Sequence, residues 1–99
     1  MSNFLQIIEK ELAIPREQLL EKATKKFLET EFRNICAEIK KISSRYGVNS
    51  FDELRERLEK GDITESECFD DLNRLEYLEL EREKIVKLLQ QLEPRETER

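Results

Sequence analysis

The 99-residue sequence contains no histidine and no tryptophan, and only two cysteines, two glycines and two prolines. Without histidine it lacks the commonest general base, the commonest metal ligand and every Cys/His zinc pattern. The G-x-G-x-x-G, P-loop and G-x-S-x-G motifs are also absent, and no apolar run approaches the roughly 20 residues of a membrane span. We therefore expect a protein that is not an enzyme, binds no metal or cofactor and does not enter a membrane.

The length and the first residues bound the class of protein further. A single domain of this size buries only about 60 to 65% of the surface of its unfolded chain, so self-association is expected. The N-terminal segment MSNFLQIIEKEL contains acidic residues and no basic leader, unlike a signal peptide. These features predict a cytoplasmic protein of one domain.

Charged residues make up 41% of the chain, which together with the scarcity of glycine and proline favours long helices. Apolar residues at helical spacing predict a short first helix, and Pro15 suits the first position of the second. Gly47 and Gly61 suit helix ends, while Ser50 with Glu53 matches a capping box. The predicted helices span residues 3–12, 15–46, 51–60 and 64–93.

Two of these helices are long, and each has an apolar seam of heptad type. The seams consist of Leu28, Phe32, Ile35, Ile39, Ile42 and Tyr46 on the second helix, and of Cys68, Leu72, Leu75, Leu78, Ile85, Leu89 and Leu92 on the fourth. Equal lengths of about 45 Å and a short corner predict an antiparallel hairpin. The fold is therefore predicted to be all-α, a coiled-coil-like hairpin with a short N-terminal helix and a short corner helix, forming a homodimer. Residues 1–93 form its domain and 94–99 a flexible tail.

The acidic stretch GDITESECFDDL, residues 61–72, has two interpretations. Thr64 and Glu67 match a second capping box, and Ile63 with Cys68 occupies the two positions of a hydrophobic staple. A calcium loop would need D-x-[DN]-x-[DN]-G spacing with a closing glutamate, which is absent. The stretch predicts a helix start, with a carboxylate magnesium or manganese site as the weaker alternative.

Charge is unevenly distributed, since residues 16–45 carry a net +3 and residues 46–99 a net −7. In the hairpin, the basic excess of the first arm would face the acidic excess of the second. A stripe of Lys22, Lys26, Arg33 and Lys40 could instead follow nucleic-acid phosphates. Glutamates dilute this stripe and no aromatic residues accompany it, so a solvated or hairpin-facing stripe is the preferred interpretation and nucleic acid an unlikely partner.

Three residues in or beside the seams have more than one interpretation. Arg82 interrupts the second seam, opposite the region of Phe27 to Phe32 if the hairpin folds about its middle. There it could pair with Glu29 or Glu31 and fix the register, or extend its head into water, which we favour. Cys36 and Cys68 lie on opposite arms and antiparallel pairing could bring them together. Buried thiols are preferred over a disulfide.

The segment IIEKELAIPREQLLEKATKKFLETE, residues 7–31, resembles the helical half of ribbon-helix-helix proteins. The residues that carry this resemblance are Glu17, Leu19 or Leu20, Ala23, Phe27 and Leu28. That family dimerises through these helices and reads DNA with a β-ribbon that precedes them. Only Met1, Ser2 and Asn3 precede the first helix here, so the resemblance implies a dimer core without the DNA-reading role.

A later segment, RYGVNSFDELRERLEKGDITESECFDDLNRLEYLELEREKIVKLL, is similar to the C-terminal part of small archaeal proteins that are grouped with VapB-type antitoxins or left unassigned. In such antitoxins the C-terminal segment binds a ribonuclease toxin with a PIN-type domain. The resemblance therefore implies a small ribonuclease as a partner, and an acidic segment suits a basic RNA-cleaving surface.

We predict a non-enzymatic protein-interaction module, an antitoxin-like subunit that binds its partner through the acidic C-terminal arm. The alternatives are a nucleic-acid-binding regulator that uses the basic stripe and a structural coiled-coil or prefoldin-like scaffold. The predicted dimer interface consists of Phe4, Ile8, Leu12, Leu19, Ala23 and Phe27. The predicted partner-binding residues are Glu76, Tyr77, Leu80 and Glu81.

Overall fold

A computed structural model describes the backbone of residues 2–97 and the side chains of residues 4–92. This part of the chain forms four helices and no strand: α1 (Ser2–Leu12), α2 (Arg16–Tyr46), α3 (Phe51–Glu59) and α4 (Glu65–Thr97). The predicted all-α class is confirmed. Among residues 2–97, no helix combines the length and the apolar composition needed to cross a membrane.

The helices α2 and α4 run antiparallel and hold the core between them. The buried residues of this core are Ile39 and Ile42 of α2, Leu75 and Leu78 of α4, and Val48 and Leu54 of the corner. Each seam repeats at steps of three and four residues, which keeps its side chains on one side of a helix. The predicted hairpin with a short N-terminal helix and a corner helix is therefore confirmed.

The end of α2 shows how the sequence stops a long helix. Gly47 adopts left-handed φ and ψ angles of 65° and 34°. The Val48 N–H donates to the Ser43 carbonyl at 3.1 Å, and the Gly47 N–H donates to the Ser44 carbonyl at 3.3 Å. These bonds form a Schellman motif, which satisfies carbonyls that the helix end leaves free. The buried Val48 side chain then begins the corner.

We expect the substitution Gly47→Ala to lower the free energy of unfolding by about 1 kcal/mol, because a Cβ is strained at positive φ. The added methyl would meet only Arg57 Nη2 at 3.8 Å, so strain and not a clash is responsible. Urea denaturation measures the loss. Gly47→Asn is the control, since asparagine tolerates this conformation better. Equal stability of the alanine and asparagine variants would contradict the expectation.

Side chains at the corner cap both following helices. The Glu53 N–H donates to Ser50 Oγ at 3.2 Å, as predicted, whereas the Glu53 carboxylate accepts from the Asn49 N–H at 2.9 Å and not from that of Ser50. At α4 the Thr64 N–H donates to the Glu67 carboxylate at 2.9 Å. This bond is the main reason why the pKa of Glu67 is lowered. The predicted helix start at residues 61–72 is confirmed.

Hydrogen bonds and ion pairs join the two arms at the corner end of the hairpin. The Tyr46 hydroxyl donates to Asp71 Oδ2 at 2.5 Å, and Arg45 Nη1 contacts the same carboxylate at 3.0 Å. One turn further, Arg74 forms a two-pronged ion pair with Glu38 at 2.8 and 3.0 Å. The Arg45 pair has the predicted charge order, whereas the Glu38 pair reverses it. Attraction between a basic and an acidic arm therefore accounts for only part of the pairing.

Two helix ends differ from the prediction. Pro15 is the N-cap residue of α2 and not its first helical residue, and its carbonyl accepts the Leu19 N–H at 2.9 Å. α4 continues through Pro94 to Thr97, past the predicted end at Glu93. A proline removes one helix hydrogen bond and commonly bends a helix without ending it. The last residues of the predicted tail, 98–99, lie outside the described backbone.

The register of the hairpin places Arg82 differently from the prediction. It shares a shallow groove with Cys36, Ile39 and Lys40, and does not lie opposite Phe27 to Phe32. The corner between Tyr46 and Glu65 sets this register, and α3 packs within it. Within the described residues Arg82 forms no ion pair with Glu29 or Glu31. It is half-buried, in keeping with a stem that lies along the seam.

The same register keeps the two cysteines apart, and both thiols are free. The Tyr46 hydroxyl lies 3.4 Å from the carbonyl oxygen of Glu67, the residue before Cys68. Cys36 is ten residues before Tyr46 on α2, a distance of about 15 Å along a helix. The hairpin therefore does not bring the cysteines together. The preferred interpretation of free thiols is confirmed, with Cys68 buried and Cys36 half-buried. Burial, followed by the negative charges of nearby acidic residues, raises the pKa of the Cys68 thiol.

Candidate functional site

The exposed apolar side chains of α1 and of the first half of α2 form the first candidate surface. Within the described residues α1 contacts α2 and no other helix, so one side of α1 stays uncovered. Phe4 is 68% exposed and Phe27 is 61% exposed. We call this set the open-end surface; it comprises Phe4, Ile7, Leu12, Leu20 and Phe27.

The predicted dimer residues divide between exposed and half-buried positions. Phe4, Leu12, Ala23 and Phe27 are exposed, whereas Ile8 and Leu19 are half-buried. The prediction omitted two exposed residues of the open-end surface, Ile7 and Leu20. The signal for them was present in the sequence, because the pairs Ile7–Ile8 and Leu19–Leu20 place apolar side chains on two neighbouring sides of a helix.

The second candidate surface lies on α4, on the side that faces away from the core. Four large apolar side chains are exposed there, and Leu80 is 54% exposed. We call them the α4 outer face: Phe69, Tyr77, Leu80 and Leu88. Together with Asn73 and Lys84 they follow one another at steps of four, four, three, four and four residues. Such steps make a straight stripe on a helix, so α4 has apolar residues on two opposite sides.

Two of the four predicted partner-binding residues belong to this face. Tyr77 and Leu80 are exposed apolar members, Glu76 is an exposed neighbour, and Glu81 is half-buried. Glu81 accepts a hydrogen bond from Lys84 Nζ at 3.0 Å. The prediction omitted Phe69 and Leu88, although the same steps of three and four residues pointed to them. The structure therefore places the predicted partner-binding residues near the middle of a longer stripe.

Ion pairs fix the charges beside the α4 outer face. The guanidinium carbon of Arg74 lies 5.4 Å from the centre of the Tyr77 ring while its nitrogens bind Glu38. This hydrogen bond is the main reason why the pKa of Glu38 is lowered and that of Arg74 is raised. The bond to Glu81 likewise raises the pKa of Lys84. Glu38, Arg74 and Lys84 are therefore charged at neutral pH. Tyr77 is covered on one side by the Arg74 cation.

The remaining candidate groups show less organisation. The four residues of the basic stripe are all exposed, so the stripe lies in solvent as predicted: Lys22, Lys26, Arg33 and Lys40.

Acidic residues at the start of α4 line a shallow groove with Ser66 and Phe69. Within the described residues no group of three or more Cys, Asp or Glu side chains is arranged to hold a metal ion. Helix capping accounts for Glu67 in that groove, and the ion pair with Arg45 for Asp71.

Comparison with known proteins identifies a family. Residues 1–97 match the model of the family described as "Uncharacterized protein MJ0235 family". A protein of Methanocaldococcus jannaschii, named "Uncharacterized protein MJ0235", is 34% identical over 76 residues, which cover 77% of this chain and 93% of the relative. No solved structure matches the chain. With nearly its whole length matched, the chain belongs to the MJ0235 family.

Proposed function

We propose that this chain is a non-enzymatic protein-interaction module with two docking surfaces. The open-end surface joins two copies of the chain in a homodimer. The α4 outer face docks a protein partner. Both surfaces combine exposed aromatic and aliphatic side chains, which are the residue types that anchor protein interfaces.

The observation that carries this proposal is the amount of surface that one chain leaves in solvent. The chain measures 61 × 31 × 16 Å, and its radius of gyration is 19.5 Å, against about 13 Å for a compact domain of this length. It exposes 7698 Å², whereas a compact monomer of 11.9 kDa exposes about 6,000 Å². The excess is about 1,700 Å², roughly twice what each partner contributes to a standard interface. One chain thus has enough uncovered surface for two interfaces.

The residues of the open-end surface favour a second copy as its occupant. Phe4 and Phe27 are large aromatic side chains exposed by more than half, and burying each removes apolar area from water. An ion pair between Glu9 and Arg16, at 3.6 Å, joins α1 to the start of α2. A symmetric dimer covers the surface with an identical one, so both copies bury the same residues.

The substitution Phe27→Glu tests the dimer. We expect it to weaken the open-end contact by at least about 30-fold, which corresponds to an interface hot spot of 2 kcal/mol. Light scattering after size exclusion would then show a lower assembly mass than for the wild type. Gln18→Glu adds the same charge at an exposed polar position of α2 and should leave the mass unchanged. A wild-type chain that stays monomeric at high micromolar concentration would refute the homodimer.

An antitoxin-like subunit is the specific form of this function that the sequence resemblance implies. What supports it here is the acidic first half of α4, which favours a basic partner such as a small ribonuclease. The proposal is tested by mixing the chain with such a ribonuclease. The complex should form and should be lost in the variant Tyr77→Glu. Complex formation that is unchanged in this variant would exclude the α4 outer face as the docking surface.

A further inference from the structure

We infer that, in the isolated protein, a second copy of the same chain covers the α4 outer face, with the two α4 helices antiparallel. This inference rests on the proposed function and names the occupant of one of its two surfaces. A heterologous partner would have to displace that copy. Three properties of α4 carry the inference: the order of its exposed apolar residues, the polar positions between them and the distribution of charge along the helix.

The exposed apolar residues are arranged symmetrically about the midpoint between Leu78 and Glu79. Phe69 and Leu88 lie equally far from this point on either side, and so do Tyr77 and Leu80. A twofold axis at this point would place Phe69 at the level of Leu88 of the second copy, and Tyr77 at the level of its Leu80. In such an isologous contact every residue of the stripe meets a stripe residue of the other copy. The stripe spans 19 steps from Phe69 to Leu88, about 28 Å of helix.

The polar residues of the stripe obey the same symmetry. Asn73 and Lys84 are equally far from the midpoint, so Asn73 of each copy would face Lys84 of the other. Both are exposed in the single chain. They separate the inner apolar layers from the outer ones, and a shift of one turn would place them against apolar residues. A polar position in a helical interface can fix the register in this way.

Charge along α4 favours the antiparallel direction. Residues 65–79 contain six acidic side chains and one basic, a net charge of −5, whereas residues 80–92 contain two acidic and three basic, a net charge of +1. A parallel pair would align the two acidic halves and make them repel each other. The antiparallel pair opposes each acidic half with the more basic half of the other copy.

Two self-complementary surfaces on one chain predict an assembly larger than a dimer, which closes at four copies when the two twofold axes intersect at right angles. We expect light scattering to give the wild type a mass four times the 11.9 kDa of the chain. Leu80→Glu should halve that mass by removing the α4 contact, and Phe27→Glu should halve it by removing the open-end contact. The double variant should be monomeric. Gln90→Glu changes an exposed polar position of α4 away from the stripe and should leave the mass unchanged. Circular dichroism should show that each variant stays helical.

The outcomes separate this inference from the proposed function. If Leu80→Glu keeps the wild-type mass while Phe27→Glu lowers it, the α4 pairing is refuted and the open-end dimer stands. If Phe27→Glu keeps the mass while Leu80→Glu lowers it, the α4 pairing stands and the open-end dimer is refuted. A monomeric wild type refutes both contacts.

Disulfide trapping tests the direction of the helices. In a Cys36→Ser background, with Cys68 buried, mixing Phe69→Cys protein with Leu88→Cys protein should give a mixed disulfide on oxidation. Phe69→Cys protein alone should remain unlinked, because the introduced cysteines of the two copies would lie at opposite ends of the interface. Linkage of Phe69→Cys protein to itself, without the mixed product, would show parallel pairing and refute the inference.

Discussion

Replacing Leu75 with alanine is expected to lower the free energy of unfolding by about 3 kcal/mol, which would leave much of the protein unfolded at moderate urea concentration. Leu75 is 0% exposed and lies in the core cluster with Ile39, Ile42 and Leu54. The substitution removes buried methyl groups and leaves a cavity, and both effects are destabilising. Because a domain of this size has a total stability of roughly 5–15 kcal/mol, the expected loss is a large share of it.

Leu80→Ala is the matched control, since it makes the same chemical change in the same helix at a position that is 54% exposed. We expect it to change the free energy of unfolding by less than about 1 kcal/mol. Both variants are compared by urea denaturation at a protein concentration low enough for the wild type to be monomeric, so that loss of an interface does not contribute. Equal losses at the two positions would contradict the assignment of Leu75 to the core and Leu80 to the surface.

The second large effect is expected at Tyr46, whose hydroxyl connects the end of α2 to α4. Tyr46→Phe removes the hydrogen bond to Asp71 Oδ2 and leaves the ring in place. Because the acceptor is a carboxylate, we expect a loss of about 1.5–3 kcal/mol at neutral pH. Tyr77→Phe is the control for removal of a hydroxyl, since the Tyr77 hydroxyl forms no hydrogen bond with the described residues.

The contribution of Tyr46 should depend on pH in a defined direction. The hydrogen bond to Asp71, followed by burial and the negative charge of that carboxylate, raises the pKa of Tyr46 from 10 to about 12. Since the folded state favours the protonated phenol, the stabilisation is fully present below about pH 10 and is lost as the pH rises towards about 12. The difference in unfolding free energy between wild type and Tyr46→Phe should shrink over this range. A difference that stays constant between pH 9 and pH 12 would contradict the assigned hydrogen bond.

Local signals in the sequence were sufficient for most of the helices. Pro15 and Gly47 mark the ends of α2 because a proline fixes φ and a glycine accepts positive φ at low cost. The seams followed from the steps of three and four residues. The helix end predicted before Pro94 was wrong, because the sequence shows that a proline lacks an N–H but does not show that α4 continues beyond it to Thr97.

The register of the hairpin was the part that the sequence left open. It depends on how the corner from Gly47 to Thr64 folds, and therefore on where α3 packs, which no local pattern specifies. This is why Arg82 was placed wrongly relative to the other arm, and why the sequence left open whether Cys36 and Cys68 lie close together. For a related reason, only part of each candidate surface was predicted from the sequence. One apolar stripe per helix is enough to explain a buried core seam. α4 has a second apolar stripe on its opposite side, to which Phe69 and Leu88 belong, and the core does not require it.

The order of α2 and α4 along the chain has a consequence for synthesis on the ribosome. The buried seam of α2 is covered by α4, which is translated after it. During translation α2 emerges with its apolar side chains unprotected and without their native contacts, and the hairpin can close only when residues well beyond Leu75 have left the exit tunnel. Until then the apolar side of α2 stays exposed, and exposed apolar surface of this kind makes a nascent chain prone to aggregation.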